Sequence, residues 1–341
     1  MHSLLKSICI LVFLLVEITG LKAQSSLDNV RQFTITTETD TIHFIKTSYD
    51  ITTPKPTILF CQGSLPIPVV ITVGNGYFIP SVNNFNHKEL SEKYNIIVIS
   101  MPHTPLVAEM GSLTKSLHYV PDISKPNERD QRYMKDNYLQ KYVERGNIVL
   151  EFLRKQPWVK KDEIILLGHS QGAYIVTDLA SENDDILAVG YFGGNPLGRY
   201  NQFILEQRNK VKSGKITGAE AQSNIDKLYK NWRKICERED NDTSFGDTPR
   251  TTKSFTASSI DKLSKLKMPV FIAYGTEDDG AQFCDFLPVY FELAGKKDYK
   301  CRAFVGYGHN FEEKFPDGRS NFEKMHWQDV MDEFILWCEQ L

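Results

Sequence analysis

At Gly168-His169-Ser170-Gln171-Gly172 the chain passes from a continuous apolar run, Ile164-Ile165-Leu166-Leu167, into a helix-like stretch over residues 173–180. A serine therefore stands between a buried strand and a helix, with a glycine two residues away on each side. Strand and helix backbones leaving so tight a turn pass too close for side chains, which demands the glycines and forces the central serine outward. Two glycines about a serine are common by themselves; the strand before and the helix after turn the pattern into a structural constraint. One alternative reading is a small polar turn in which Ser170 caps the helix N-terminus.

The rest of the chain is organised around that unit. Residues 33–37 and 41–46 alternate apolar with polar or threonine side chains about a break at Thr39-Asp40, predicting a half-buried antiparallel hairpin. Residues 57–61 and 96–100 are continuous apolar runs, as in parallel strands covered by helices on both faces. Tyr138, Tyr142, Val143, Ile148, Val149, Phe152 and Leu153 follow at helical spacing and deliver the chain to the strand before Ser170. Further buried strands are predicted at 187–192, 270–274 and 300–305. A last helix is predicted from about residue 322 to 341, with Trp327, Val330, Met331, Phe334 and Ile335 on one face. A hairpin followed by strand and helix in alternation predicts an α/β fold, a mostly parallel central sheet flanked by helices. Residues 197–262 interrupt the rhythm with no strand and two helix candidates. The second has a capping box, Thr217 with Glu220, and an apolar stripe of Ile225, Leu228, Trp232 and Ile235. The stripe fits either ordinary core packing or a helical cap insertion laid over the end of the sheet that carries Ser170. Asn241-Asp242-Thr243 reads as loop chemistry.

A serine hydroxyl is a weak nucleophile at neutral pH and needs a base within hydrogen-bond reach, itself oriented by a third group. In this architecture such groups stand on loops past the C-terminal ends of strands, in chain order serine, acid, histidine. The strand at 270–274 ends in Gly275-Thr276-Glu277-Asp278-Asp279-Gly280, which offers three carboxylates, whereas the preceding strand ends in Gly193-Gly194-Asn195-Pro196 and offers none. The last strand ends in Gly306-Tyr307-Gly308-His309-Asn310-Phe311, where a histidine behind glycines can swing over the serine turn. His326, expected inside the last helix, and His169, in the turn itself, are not placed for that role. The remaining histidines all precede the turn.

These stretches resemble the α/β-hydrolase superfamily over about residues 33–341. The Ser170 turn is similar to its nucleophile elbow, Gly-Thr-x-Asp to its acid loop, and residues 306–311 to its histidine loop. The resemblance implies a triad of Ser170, Asp278 and His309, with Glu277 and Asp279 as the other candidates for the acid. It also implies an oxyanion hole of two backbone N–H donors. One would be that of Gln171; the other would come from the loop Gln62-Gly63-Ser64-Leu65-Pro66, by position from Ser64, with Leu65 as the alternative. Many members have His-Gly where this chain has Gln62-Gly63. The implied activity is that of a serine hydrolase, first of carboxylic esters and second of amides or peptides, working through an acyl-enzyme on a small-molecule ester or short peptide without cofactor or metal. A non-catalytic binding module is a third class, against which the complete set of three residues argues. Residues 254–269 also look like linkers of the esterase, dienelactone-hydrolase and prolyl-peptidase-like branches.

The ends and the charge balance bound the setting. Lys6, the apolar residues 7–16 and Ala23 have the order of a cleavable secretory signal, and Glu17 cuts the apolar run well short of the roughly 20 residues of a spanning helix. A signal over residues 1–23, a hydrolase domain over 24–341 and a secreted or periplasmic location are expected. With 43 acidic and 40 basic residues in 341 the net charge is only −3, too small a field to gather nucleic acid or, after signal removal, a membrane surface. Five cysteines then remain, Cys61, Cys236, Cys284, Cys301 and Cys338, an odd number without metal-ligand spacing. A Cys284–Cys301 disulfide is one possibility.

Overall fold

Alternation in the threonine-rich start produces a hairpin, β1 (Arg31–Thr36) and β2 (Thr41–Lys46), with Ile35 opposite Ile42. The computed structural model describes residue 27 and residues 29–244 and 246–341, so the signal expected at residues 1–23 lies outside the described residues. The side chain of Asp40, in the hairpin turn, is buried and ion-paired with Arg145 at 2.8 Å and Lys141 at 3.1 Å. Next come β3 (Lys55–Cys61), a short pair β4 (Val70–Val73) and β5 (Gly76–Phe78), helix α1 (His87–Lys93), β6 (Asn95–Ile99) and β7 (Val107–Glu109). Helices α2 (Gln131–Asp136) and α3 (Leu139–Arg154) lead to β8 (Val159–His169), α4 (Gln171–Glu182) and β9 (Ala188–Phe192). Four helices follow without a strand: α5 (Arg199–Lys212), α6 (Gly218–Glu237), α7 (Pro249–Ser254) and α8 (Ile260–Lys265). The chain ends with β10 (Val270–Gly275), α9 (Ala281–Cys284), α10 (Leu287–Ala294), β11 (Tyr299–Phe304), the hairpin β12 (Glu312–Lys314) and β13 (Ser320–Met325), and α11 (Trp327–Cys338).

Eight strands form the main sheet in the order β1-β2-β6-β3-β8-β9-β10-β11. β1, β2 and β6 pair antiparallel, and every pairing from β6 to β11 is parallel. The continuous apolar runs are buried on both faces, and neighbouring residues go to opposite sides. Leu59, Leu166 and Ile272 pack with α3 and α4, whereas Phe60, Leu167 and Phe271 pack with α11. Register brings strand ends level: Cys61 lies opposite Gly168, His169 opposite Phe192, and Gly275 opposite Phe304. The loops that leave β3, β8, β10 and β11 therefore open at one edge, where α/β sheets bind ligands.

One expected boundary moves, one small sheet is new, and one possible bond is not made. The last helix begins at Trp327, because residues 322–325 belong to β13, and His326 precedes the helix as its N-cap residue. The small sheet β5-β4-β7 was not anticipated, since its strands are three or four residues long and too short to show a period. Cys284 and Cys301 are both thiols, and Cys284 Sγ donates to the Gly194 carbonyl at 3.1 Å. Among the described residues no helix is long and apolar enough to cross a membrane.

Helix α11 anchors one face of the sheet through Phe334, which is fully buried with its ring edge against Phe192 and Phe271. Phe334→Ala is expected to lower stability by about 3–5 kcal/mol through lost transfer energy and a residual cavity, measured as a lower urea midpoint at unchanged m-value.

Candidate active site

The serine turn is shaped by backbone contact. A Cβ on Gly168 would lie 2.1 Å from the Gly172 carbonyl oxygen, and one on Gly172 only 1.9 Å from that of Cys61. No other residue fits either position, so the end of β3, the end of β8 and the start of α4 meet without side chains between them. Ser170 takes φ 57° and ψ −118°, a left-handed conformation costing roughly 1–3 kcal/mol that the surrounding sheet and helix must hold in place. It makes no side-chain cap of α4, and the residue is half-buried just past the end of β8.

The three residues singled out around it come together. In the tautomer with a proton on Nδ1, His309 donates to Asp278 Oδ2 at 2.8 Å, and its Nε2 accepts from Ser170 Oγ at 2.9 Å. Among the acid candidates the structure separates Asp278 from its neighbours. Asp278 is buried, and its other oxygen accepts the Gly280 N–H at 3.0 Å; Glu277 and Asp279 are exposed on the same turn. Burial would push the Asp278 carboxyl up, but the His309 hydrogen bond and charge outweigh it and hold it below the usual range. For His309 burial pulls down, and Asp278 more than compensates, leaving the imidazole above its ordinary value. His326 stacks on Tyr307 at 4.2 Å and takes no part.

Two positioning groups escaped the sequence reading. His169, with its proton on Nε2, donates to the backbone carbonyl of His309 at 2.9 Å, and its ring lies edge-on to Trp327 at 4.9 Å. Burial and the neighbouring His309 push its pKa down to about 3, so it stays neutral and keeps that donor at any working pH. On the far side of the histidine loop the buried Glu312 accepts the Asn310 N–H at 2.8 Å and pairs with Lys314 at 2.9 Å. Both contacts join residues distant in sequence or carried by a short hairpin, and no local pattern announces them.

The oxyanion donors expected at Gln171 and Ser64 flank the serine. As the first residue of α4, Gln171 has no carbonyl one turn behind its N–H. The N–H groups of Ser64 and Leu65 make no hydrogen bond among the described residues, and Leu65 has φ 129°. A cavity of about 480 Å³ is bounded by Ser64, Leu65, Ser170, Gln171 and His309, and it extends to Arg129, Arg199 and Asp247. A second cavity, about 330 Å³, shares Ser64, Leu65, Ser170 and His309 and runs toward Gln62 and Trp327. The α5–α8 segment reaches the first cavity through Arg199, Gln202, Phe203 and the connecting residue Asp247. Its apolar stripe packs α6 on α5: Trp232 lies against Tyr200 at 4.8 Å, and the Tyr200 hydroxyl donates to the Leu228 carbonyl. Trp232 therefore supports the helix that lines the cavity and does not itself line it. Among the described residues no cluster of His, Cys, Asp and Glu could hold a metal ion.

If His169 anchors the histidine loop, His169→Phe keeps the ring packing and loses the bond to the His309 carbonyl. Its expected signature is a loss of kcat of about tenfold, one hydrogen bond's worth, with KM little changed, while His169→Gln, which retains a donor, recovers part of the loss.

No protein-family model matches the sequence, and no curated protein matches it. Solved structures do match in three dimensions. A protein of Bacteroides ovatus described as a dipeptidyl aminopeptidase IV superposes with TM-score 0.54 at 12% identity, over 92% of this chain and 36% of its own. The α/β hydrolase GrgF from a Penicillium species matches with TM-score 0.54 at 11% identity, over 91% of this chain and 98% of its own. Acylaminoacyl peptidase of Pyrococcus horikoshii matches with TM-score 0.51 at 16% identity, over 89% of this chain and 41% of its own. This chain thus spans well under half the length of those two peptidases and nearly the whole of the fungal hydrolase. Sheet order, strand-end register and these superpositions agree that the chain has the α/β-hydrolase fold.

Proposed function

We propose that this protein is an exported serine hydrolase that cleaves carboxylic esters through an acyl-enzyme. The observation that carries the reading is the unbroken hydrogen-bond chain from Ser170 Oγ through the His309 imidazole to Asp278. In the proposed reaction Ser170 Oγ attacks the ester carbonyl and gives its proton to His309 Nε2, while Asp278, which fixes the tautomer of the neutral imidazole, stabilises the imidazolium that forms. The oxyanion is held by the N–H groups of Gln171 and Ser64, preorganised before the charge develops. Collapse breaks the bond to the alcohol oxygen, which leaves with the proton from Nε2. Water then repeats the sequence: it attacks the acyl carbon, passes a proton to His309 and releases the acid and the free serine. The two cavities that meet at Ser170 suit an acyl group on one side and a leaving group on the other. Helices α5–α8 act as the cap that shapes the first of them. Ester cleavage asks least of this arrangement, because an alkoxide leaves more readily than an amine and needs less help from His309 as acid. Export rests on the order of residues 1–23, and N-terminal sequencing of the mature protein tests it.

Fluorophosphonate labelling tests the nucleophile: Ser170→Ala is expected to abolish labelling and lower turnover by roughly 10⁶-fold with the fold intact. Labelling that persists in that variant would refute the assignment. Asp278→Asn is expected to cost about 10⁴-fold by presenting the wrong His309 tautomer, and either Glu277→Gln or Asp279→Asn far less. Matched acyl esters and aminoacyl amides compared by kcat/KM decide between esterase and peptidase, with faster amide cleavage overturning the ester reading.

The pH profile follows from the direction of the His309 shift. The base must be neutral to accept the serine proton, and its pKa is raised above 6.5. kcat/KM should therefore fall as pH drops through an inflection above 6.5, and Asp278→Asn, which removes the raising charge, should move that inflection down.

A further inference from the structure

We propose that Arg199, together with Arg129, forms a carboxylate-binding subsite in the cavity beside Ser170, so that the preferred substrate is an ester bearing a free carboxylate. The inference rests on the hydrolase reading above and names its substrate class.

Both guanidinium groups converge on one acid. Arg129 Nη1 lies 3.1 Å from Asp247 Oδ1, and Arg199 Nη1 lies 3.0 Å from Asp247 Oδ2. Two positive charges against one negative leave a surplus of one. Each guanidinium also has five N–H donors in a planar fork, and among the described residues most of them are unspent. Arg199 Nη2 makes one further bond, to Gln171 Oε1 at 3.2 Å. Gln171 follows the serine and carries one of the proposed oxyanion donors, so the surplus charge sits one side chain from the reacting carbonyl. All of these residues line the same cavity of about 480 Å³.

Folding alone gives little reason for this arrangement. Arg199 is the first residue of α5, behind Gly198, which offers no side-chain cap. A cation there works against the helix dipole, whose positive end already lies at that position. The three charged side chains keep 26–42% of their surface exposed, and ion pairs this open add little to stability. The same openness lets a solute reach them. The Arg199 guanidinium carbon lies over the Phe255 ring, 5.4 Å from its centroid, and a guanidinium offers the planar fork of donors that suits a carboxylate. The third cation of the cavity, Lys314, is committed to Glu312. Glu277 and Asp279 line the cavity too, on the turn that carries Asp278, so the attraction for an anion is confined to the Gln171 side.

The test compares an aryl hemisuccinate with its neutral methyl succinate counterpart, and a second pair in which the carboxylate is on the alcohol instead of the acyl group. Wild type should prefer the acid in one pair by tenfold or more in kcat/KM, and that pair identifies the side of the scissile bond that faces Arg199. In Arg199→Gln and in Arg129→Gln the ratio of acid to neutral ester should collapse toward one. In Asp247→Asn the ratio should hold or rise, because the competing carboxylate is gone. Fluorophosphonate labelling of every variant reports that Ser170 and its surroundings are intact. Absence of any acid preference in a labelled wild type overturns the subsite alone. So does a preference that survives both arginine changes, or one that Asp247→Asn destroys as thoroughly as they do. A wild type that neither labels nor turns over overturns the hydrolase reading, and the subsite with it.

Discussion

The structure depends first on the near contact of three backbones, where the carbonyls of Cys61 and Gly172 occupy the space that side chains would take at Gly172 and Gly168. The approach locks β3 to β8 through the parallel register that sets Cys61 opposite Gly168, and it starts α4 at an angle that leaves Ser170 in a left-handed conformation. Relaxing that strain would require the strand ends to separate, which would expose the fully buried residues Leu59, Leu166 and Ala173. Packing on both faces of the sheet therefore holds the serine outward. The same contact brings the loop after β3 beside Ser170, with Ser64 and Leu65 as its neighbours across the cavity.

From that fixed point the other groups are placed by hydrogen bonds to backbone. His169 belongs to the serine turn yet holds the carbonyl of His309, so one short segment both presents the hydroxyl and anchors the loop whose imidazole is bonded to it. Glu312 grips the same loop from the other side through the Asn310 N–H. Asp278 is held by the Gly280 N–H while its free oxygen meets His309. The ring positions are thereby set by neutral or paired groups whose state does not change near neutral pH, which leaves His309 as the titrating member. The α5–α8 segment adds a different element: the first residue of α5, Arg199, reaches back to Gln171 and ties that segment to the start of α4.

How far the sequence could be read varied with the range of the interaction. Continuous apolar runs marked β3, β6, β8, β9 and β10 because burial on both faces leaves a contiguous signature. The turn at Gly275–Gly280 offered three adjacent carboxylates, and composition cannot rank them; only the folded turn buries Asp278 and leaves Glu277 and Asp279 in solvent. The boundary near residue 326 was misplaced because Phe322 and Met325 stand three residues apart, a spacing a helix also shows, while the β13 strand that holds them pairs with β12 across a turn. The stripe on α6 showed an apolar face without showing its partner, which proved to be α5 and not the main core.

What the sequence by itself determined is local and covalent: glycines at the two positions where a Cβ cannot fit, a serine between them, apolar periods that require a covered parallel sheet, and a histidine and acids after its last strands. Those features follow from steric exclusion and burial, which act on residues close along the chain. Tertiary structure decided which carboxylate turns inward, that His169 and Glu312 hold the histidine loop, and that Arg129, Arg199 and Asp247 meet beside Ser170. Arg129 and Asp247 are separated by more than a hundred residues, and only the folded backbone brings such groups within the few ångströms over which hydrogen bonds and ion pairs act.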